Sequence, residues 1–183
     1  MPITLPTGIT IRTVTFWYPA AHKGIDDWAS VLSGIFDDEF RPDPRLLAHT
    51  PQTRQTRALL AAPGNGRPTR CAGGRLNLLD LAATGAEAAR QARSRHQTWS
   101  RTSTIRGRRP GPAEKALLHA GPQTYITYYS LRRVVGDALI IMRTGARMYP
   151  AGHSPQALID YVHQATLLLA DAAPNDVLVT VTT

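Results

Sequence analysis

The spacing of hydrophobic positions changes several times along this chain, and each change predicts an element. From Ile9 to Tyr18 the residues are rich in Ile, Thr, Val and aromatics, which predicts a strand stopped by Pro19. Both alternating sets, Ile9/Ile11/Thr13/Thr15/Trp17 and Thr10/Arg12/Val14/Phe16/Tyr18, carry large apolar side chains, so its far end is expected to be buried on both faces. A helix follows, with Asp26 as N-cap and Trp28, Leu32, Ile35, Phe36 and Phe40 at helical spacing, ending near Arg41-Pro42-Asp43-Pro44. Arg41 to Arg75 holds five prolines and four glycines and reads mostly as loop, with one short strand at Ala58 to Ala62. A second helix is expected from Leu78 to Arg95, capped by Asn77 with Asp80 three residues on.

Ser100 to Gly111 has little to bury and reads as a mobile loop. Thr124 to Val134 and Ala138 to Arg143 look like two strands joined by a hairpin turn at Val135-Gly136-Asp137. The clearest pattern comes last. Ser154-Pro155 is an N-cap and first-turn pair, and Leu158, Tyr161, Val162, Ala165, Leu168, Leu169 and Ala172 recur at three and four. Val177 to Thr182 supplies a closing strand. Helices interspersed with short strands predict one α+β domain over 1–183, a small mixed or antiparallel sheet with helices mainly on one face. A ferredoxin-like arrangement fits the order of elements, with 41–115 as a basic, partly loop-like insertion carrying an Arg-rich helix and loop.

Charge changes the picture more than composition does. The net charge is +8 over 183 residues, yet Arg41 to Arg109 alone holds fourteen arginines against three acids. The first forty residues are net acidic and the last seventy-four neutral. Arginine outnumbers lysine 19 to 2, which codon bias can produce, but codon bias cannot place the charge in the middle third. Apolar runs fall far short of the roughly 20 residues that cross a bilayer, and the first residues do not form a secretory signal, so a soluble cytoplasmic protein with no membrane contact is expected. The single cysteine, Cys71, excludes an internal disulfide and is expected to be an inert thiol; only exposure beside Arg67, Arg70 and Arg75 would lower its pKa.

Catalytic motifs fail on inspection. Gly152-His153-Ser154-Pro155-Gln156 resembles a nucleophile elbow, but the final glycine is missing and Pro155 has no N–H for an oxyanion. Gly64-Asn65-Gly66-Arg67-Pro68-Thr69 lacks the third glycine of a dinucleotide fingerprint and the Lys-Ser/Thr of a P-loop. His96-Gln97-Thr98 has the form of a His-x-Thr motif with no second copy, and the six histidines show no metal-binding spacing. Asp37-Asp38-Glu39 opposes the negative end of its predicted helix, so pairing with Arg41 or Arg45 is expected. No cofactor and no metal are expected.

What remains is the arginine tract. Guanidinium groups match phosphate oxygens, and clustered cations gain affinity by releasing condensed counterions. Arg90, Arg93 and Gln97 lie at helical spacing, and His96 and Trp99 add flat surfaces among the cations. The expectation is a non-enzymatic protein that binds nucleic acid or another polyanion through Arg90, Arg93, Arg95, His96, Trp99, Arg101, Arg106, Arg108 and Arg109, with Trp99 as the stacking residue. The alternative is a structural subunit of a larger assembly, for example a viral one, whose basic segment packs on acidic protein neighbours or on further copies. A third reading is a small enzyme whose pocket draws on Tyr125, Tyr129, His119 or His153.

Overall fold

The structure, a computed structural model, describes residues 3–4, 8–19, 24–33, 40–49, 58–61, 70–105 and 107–183. In chain order its elements are β1 (Ile3–Thr4), β2 (Thr10–Ile11), β3 (Thr13–Tyr18), α1 (Trp28–Ser33), β4 (Arg41–Pro42), β5 (Leu46–Leu47), β6 (Leu59–Leu60), β7 (Arg70–Cys71), β8 (Gly73–Arg75), α2 (Leu81–Thr102), α3 (Pro112–His119), α4 (Pro122–Val135), β9 (Ala138–Ile141), β10 (Ala146–Met148), α5 (Pro155–Ala170) and β11 (Val177–Thr182).

Among the described residues, seven strands form one mixed sheet in the order β10-β9-β3-β11-β8-β6, with β4 also beside β11. Its axis is the antiparallel pair β3–β11, in register from Thr13↔Thr182 to Tyr18↔Val177. On the other side of β3 lies β9, and that pair is parallel. An α+β architecture with a mixed sheet therefore holds. It differs from a ferredoxin-like sheet, in which an antiparallel strand splits the two parallel ones; here β3 and β9 are direct neighbours.

The central strands β3, β9 and β11 are buried on both faces. Val14, Phe16, Ile140, Val177, Val179 and Val181 face a core completed by Ile9, Ile11 and Leu32. Trp17, Leu139, Ile141 and Leu178 face a larger core with Tyr125, Tyr128, Val135, Leu158 and Val162. The larger core lies under α2, α4 and α5, while α1 belongs to the opposite side, so the helices sit mainly on one face. The basic middle of the chain is built into this frame: β4, β6 and β8 join the sheet, and α2 packs along α4.

Several elements differ from the sequence expectation. Pro122–Val135 is a helix, not a strand, although its tyrosines, threonines and valines favour strands. Gly121-Pro122 starts it, Gly136 ends it, and Tyr125, Tyr128 and Val135 are buried between neighbouring helices, so packing overrides propensity. Val135-Gly136-Asp137 is consequently a helix end, and the hairpin is β9–β10. The second helix starts later and runs further than its periodicity suggests, with Asp80 rather than Asn77 as its cap and Ser100 to Thr102 helical. Asp26 is not the cap of α1 but lies inside a 3₁₀ turn, Ile25–Asp27, that leads into it with Gly24 at its N-cap; Asp27 accepts the Gly24 N–H at 2.9 Å, and Phe40 lies outside the helix. Arg41 to Arg75 contains β4, β5, β7 and β8 besides the expected short strand. Asp37, Asp38 and Glu39 lie outside the described residues, as do Arg67 and the Gly64-Asn65-Gly66 segment.

The final helix and strand match their patterns, except that Leu168 is exposed and Ala172 lies beyond the end of α5. Ser154 accepts the Ala157 N–H at 3.1 Å, the cap reading of the Gly-His-Ser-Pro segment, and Leu158, Tyr161, Val162, Ala165 and Leu169 of α5 are buried. Among the described residues no helix is long and apolar enough to cross a membrane.

Candidate nucleic-acid interface

The cationic segment is organised by α2. Asp80 accepts the Ala83 N–H at 2.8 Å, and Ser103, with φ +54°, turns the chain out of the helix after Thr102. Thr84, Ala88 and Ala92 are buried. Small residues there let α4 approach closely: Ser130 donates to the Gly85 carbonyl at 3.0 Å. The opposite face belongs to solvent. Arg90, Arg93, Gln97 and Arg101, spaced by three, four and four residues, form one exposed line about 16 Å long along the helix axis.

No carboxylate neutralises that line among the described residues. The one acid within α2 is Glu87, and it is occupied by an ion pair with Arg70 and by the Gln91 amide at 3.0 Å. Arg90, Arg93 and Arg101 have no ion-pair partner among the described residues, nor does Arg109 on the loop beyond.

The other expected site residues go elsewhere. Arg95 is half-buried on another face of α2, its guanidinium 5.9 Å from the Tyr129 ring centre. His96 is held between Trp99 and Tyr125, with ring centroids 5.6 and 5.8 Å away, and its Nε2 is buried with no hydrogen-bond partner among the described residues. Trp99 packs against the core and meets His119 edge-on at 5.2 Å, so its ring is largely committed to the protein itself. Arg108 is exposed yet donates to Glu114 at 2.9 Å. Arg106 lies outside the described residues. The expected set thus divides into an outward line, an inward aromatic cluster and a loop.

Two features were invisible in sequence. Glu114, in the first turn of α3, accepts from Arg108 and lies 3.4 Å from the Tyr125 hydroxyl and 3.5 Å from that of Tyr129. Burial, then the Glu114 charge, pushes Tyr125 up to about 12. Arg45, which reads as one more loop cation, is 4% exposed; it donates to Thr15 at 2.6 Å and to Asp43 at 3.1 Å. Burial lowers its pKa to about 10, so its charge is internal and unavailable to a partner.

Cys71 is fully buried, and burial pushes its thiol up to about 11; the arginines before and after it do not activate it. Native protein is therefore expected to resist a thiol-specific disulfide reagent for hours at pH 8 and to react within minutes in denaturing urea. Fast single-exponential labelling of native protein would refute that burial.

Among the described residues no three His, Cys, Asp or Glu side chains gather in a metal-binding group. No family model, curated protein or solved structure matches this chain.

Proposed function

We propose that this protein binds nucleic acid, or another polyanion, along the outward face of α2. The observation that carries the reading is the line Arg90, Arg93, Gln97 and Arg101, exposed on a 22-residue helix and without a carboxylate partner among the described residues. Guanidinium groups held at helical spacing on a rigid element can meet successive phosphates with little ordering cost. Base-edge readout is not implied, because Trp99 and His96 are turned into the protein. Affinity should therefore be set by salt rather than by base order.

Titration of a mixed-sequence single-stranded oligonucleotide over a range of salt concentrations tests this. The plot of log affinity against log salt is expected to be steep, and the triple variant R90Q/R93Q/R101Q should flatten its slope by about 2 and weaken binding roughly a hundredfold near 0.1 M salt. These are surface changes, so folding stability should stay within about 0.5 kcal/mol of the parent. Affinity that ignores salt, or a triple variant that binds as the parent does, would overturn the reading.

A second reading, a subunit of a larger assembly, draws on a different observation. An apolar cleft of about 340 Å³ opens between α2, α4 and α5, lined by Leu81, Ala86, Leu131, Val134, Leu169 and Ala170, while Leu167 of α5 is 69% exposed. Mass measurement in solution with and without nuclease separates the two. Discrete nuclease-resistant oligomers support assembly; nucleic acid that co-purifies and is lost with nuclease supports the first reading.

A further inference from the structure

Roughly a quarter-turn round α2 from the outward arginines, a second line of side chains has its own geometry. Gln91, Ser94, Arg95 and Thr98 follow the spacing of one helix face and, with Ile105 from the following loop, line a cleft of about 350 Å³. We propose that this cleft binds a small organic phosphate monoester, with Arg95 as the anchoring cation and Ser94 as a further hydrogen-bond donor.

The charge balance around the cleft points to a dianion. Arg70 is paired with Glu87, and Arg45 with Asp43. Arg95 has no carboxylate partner among the described residues; its guanidinium is held over the Tyr129 ring. Arg133 donates its Nε to the Arg45 carbonyl at 3.1 Å, and the carboxylates within its range are the two already engaged. Burial, and then the positive charges of Arg70 and Arg95 among its neighbours, lower its pKa, so Arg133 adds positive potential behind Arg95 without lining the cleft itself. Neither Arg95, which lines the cleft, nor Arg133, which stands within its electrostatic range, has an ion-paired carboxylate among the described residues. A phosphate monoester carries about −1.5 to −2 at pH 7 and accepts forked donors, so it matches both the charge and the chemistry.

The remaining walls suit an organic body on that phosphate. Ile105 is 2% exposed and gives the cleft an apolar side, and the Ser94 hydroxyl is exposed with no hydrogen-bond partner among the described residues. Thr98 donates to the Ser94 carbonyl at 3.0 Å and keeps its lone pairs for a ligand hydroxyl. The volume is at the lower end of the range for small-molecule pockets, about 300–1,000 Å³.

Calorimetric titration of the full chain at constant ionic strength tests the proposal, with phenyl phosphate, inorganic phosphate and benzoate as probes. One site per chain is expected, with phenyl phosphate tighter than inorganic phosphate and benzoate at least tenfold weaker than phenyl phosphate. R95Q should weaken phenyl phosphate at least tenfold. S94D, which places a carboxylate in the mouth at an exposed position, should abolish binding. The triple variant R90Q/R93Q/R101Q should hold phenyl phosphate within twofold of the parent even as it loses oligonucleotide, so the two sites fail separately. Oligonucleotides with and without a 5′ phosphate should both compete less well than phenyl phosphate; a phosphorylated strand that competes better than phenyl phosphate would move the ligand to a nucleic-acid end and overturn the assignment to a small ester. Heats that do not saturate, benzoate binding as well as phenyl phosphate, or S94D binding like the parent would each overturn the site.

Discussion

Asp137→Ala is expected to lower folding stability at pH 7 by about 2–4 kcal/mol, because it removes one partner of a part-buried ion pair together with the acceptor of two backbone donors. One carboxylate oxygen of Asp137 accepts the backbone N–H groups of Arg12 and Thr13 at 3.0 and 3.1 Å and lies 3.1 Å from the Thr13 hydroxyl. The other accepts Arg132 Nε at 2.8 Å. The side chain thus ties the start of β3 to the end of α4 and to β9, the three elements around the parallel strand pair. Alanine would leave two backbone donors and a half-buried guanidinium without their acceptor. Burial alone would raise the Asp137 pKa, but the Arg132 charge and the backbone donors outweigh it and hold the carboxyl below its ordinary value. A group whose folded pKa is depressed stabilises fully above its unfolded pKa, about 3.9, and loses that contribution as pH falls through the folded value. Urea denaturation at pH 7, 5 and 3 should show a constant gap between parent and variant from pH 7 to 5 that narrows at pH 3. A gap under 0.5 kcal/mol at pH 7, or one that widens in acid, would contradict this account.

Elements whose burial is decided by their own periodicity were legible in the sequence. Val177–Thr182 and Pro155–Ala170 match their patterns because each presents its apolar residues where its own geometry needs them, and Ser154 caps α5 whatever it packs against. Pro122–Val135 was misread because the residues that make it a buried helix, Tyr125, Tyr128 and Val135, are also strand formers; the decision comes from α2 and α5 on either side. The division of the arginines was partly legible. Arg95 stands five residues after Arg90, about 140° round a helix, so Arg90, Arg93 and Arg101 could have been separated from it by phase alone. Its neighbours could not: Glu114 meets Arg108 and two tyrosines across α3 and α4, and Arg45 becomes an internal charge because Thr15 and Asp43 receive it. Such meetings join positions distant in the chain, and no local pattern encodes them.

Gly136→Ala should be comparably damaging, by about 3–5 kcal/mol, for two reasons that add. The residue has φ +75° and ψ −162°, a region essentially reserved for glycine, and holding alanine there costs roughly 1–3 kcal/mol. An added Cβ would also lie 2.7 Å from an Arg45 guanidinium nitrogen and 2.9 Å from the Thr13 carbonyl oxygen. Neither neighbour can yield cheaply. The Arg45 nitrogen is held by Thr15 at 2.6 Å inside the protein, and the Thr13 carbonyl accepts the Asp137 N–H at 2.8 Å. Relieving the overlap must disturb the Arg45–Thr15 contact or the joint between β3 and α4, a further cost of about 1–3 kcal/mol for overpacking. Gly121 at the other end of α4 provides the control: its φ is +105°, but a Cβ there meets nothing within 4 Å. Gly121→Ala should therefore carry the backbone strain alone and melt several degrees above Gly136→Ala, which should fall roughly 10 °C or more below the parent. Equal melting temperatures for the two variants would mean that the tight packing of Arg45 and Thr13 around Gly136 contributes nothing, and that backbone conformation alone explains the glycine.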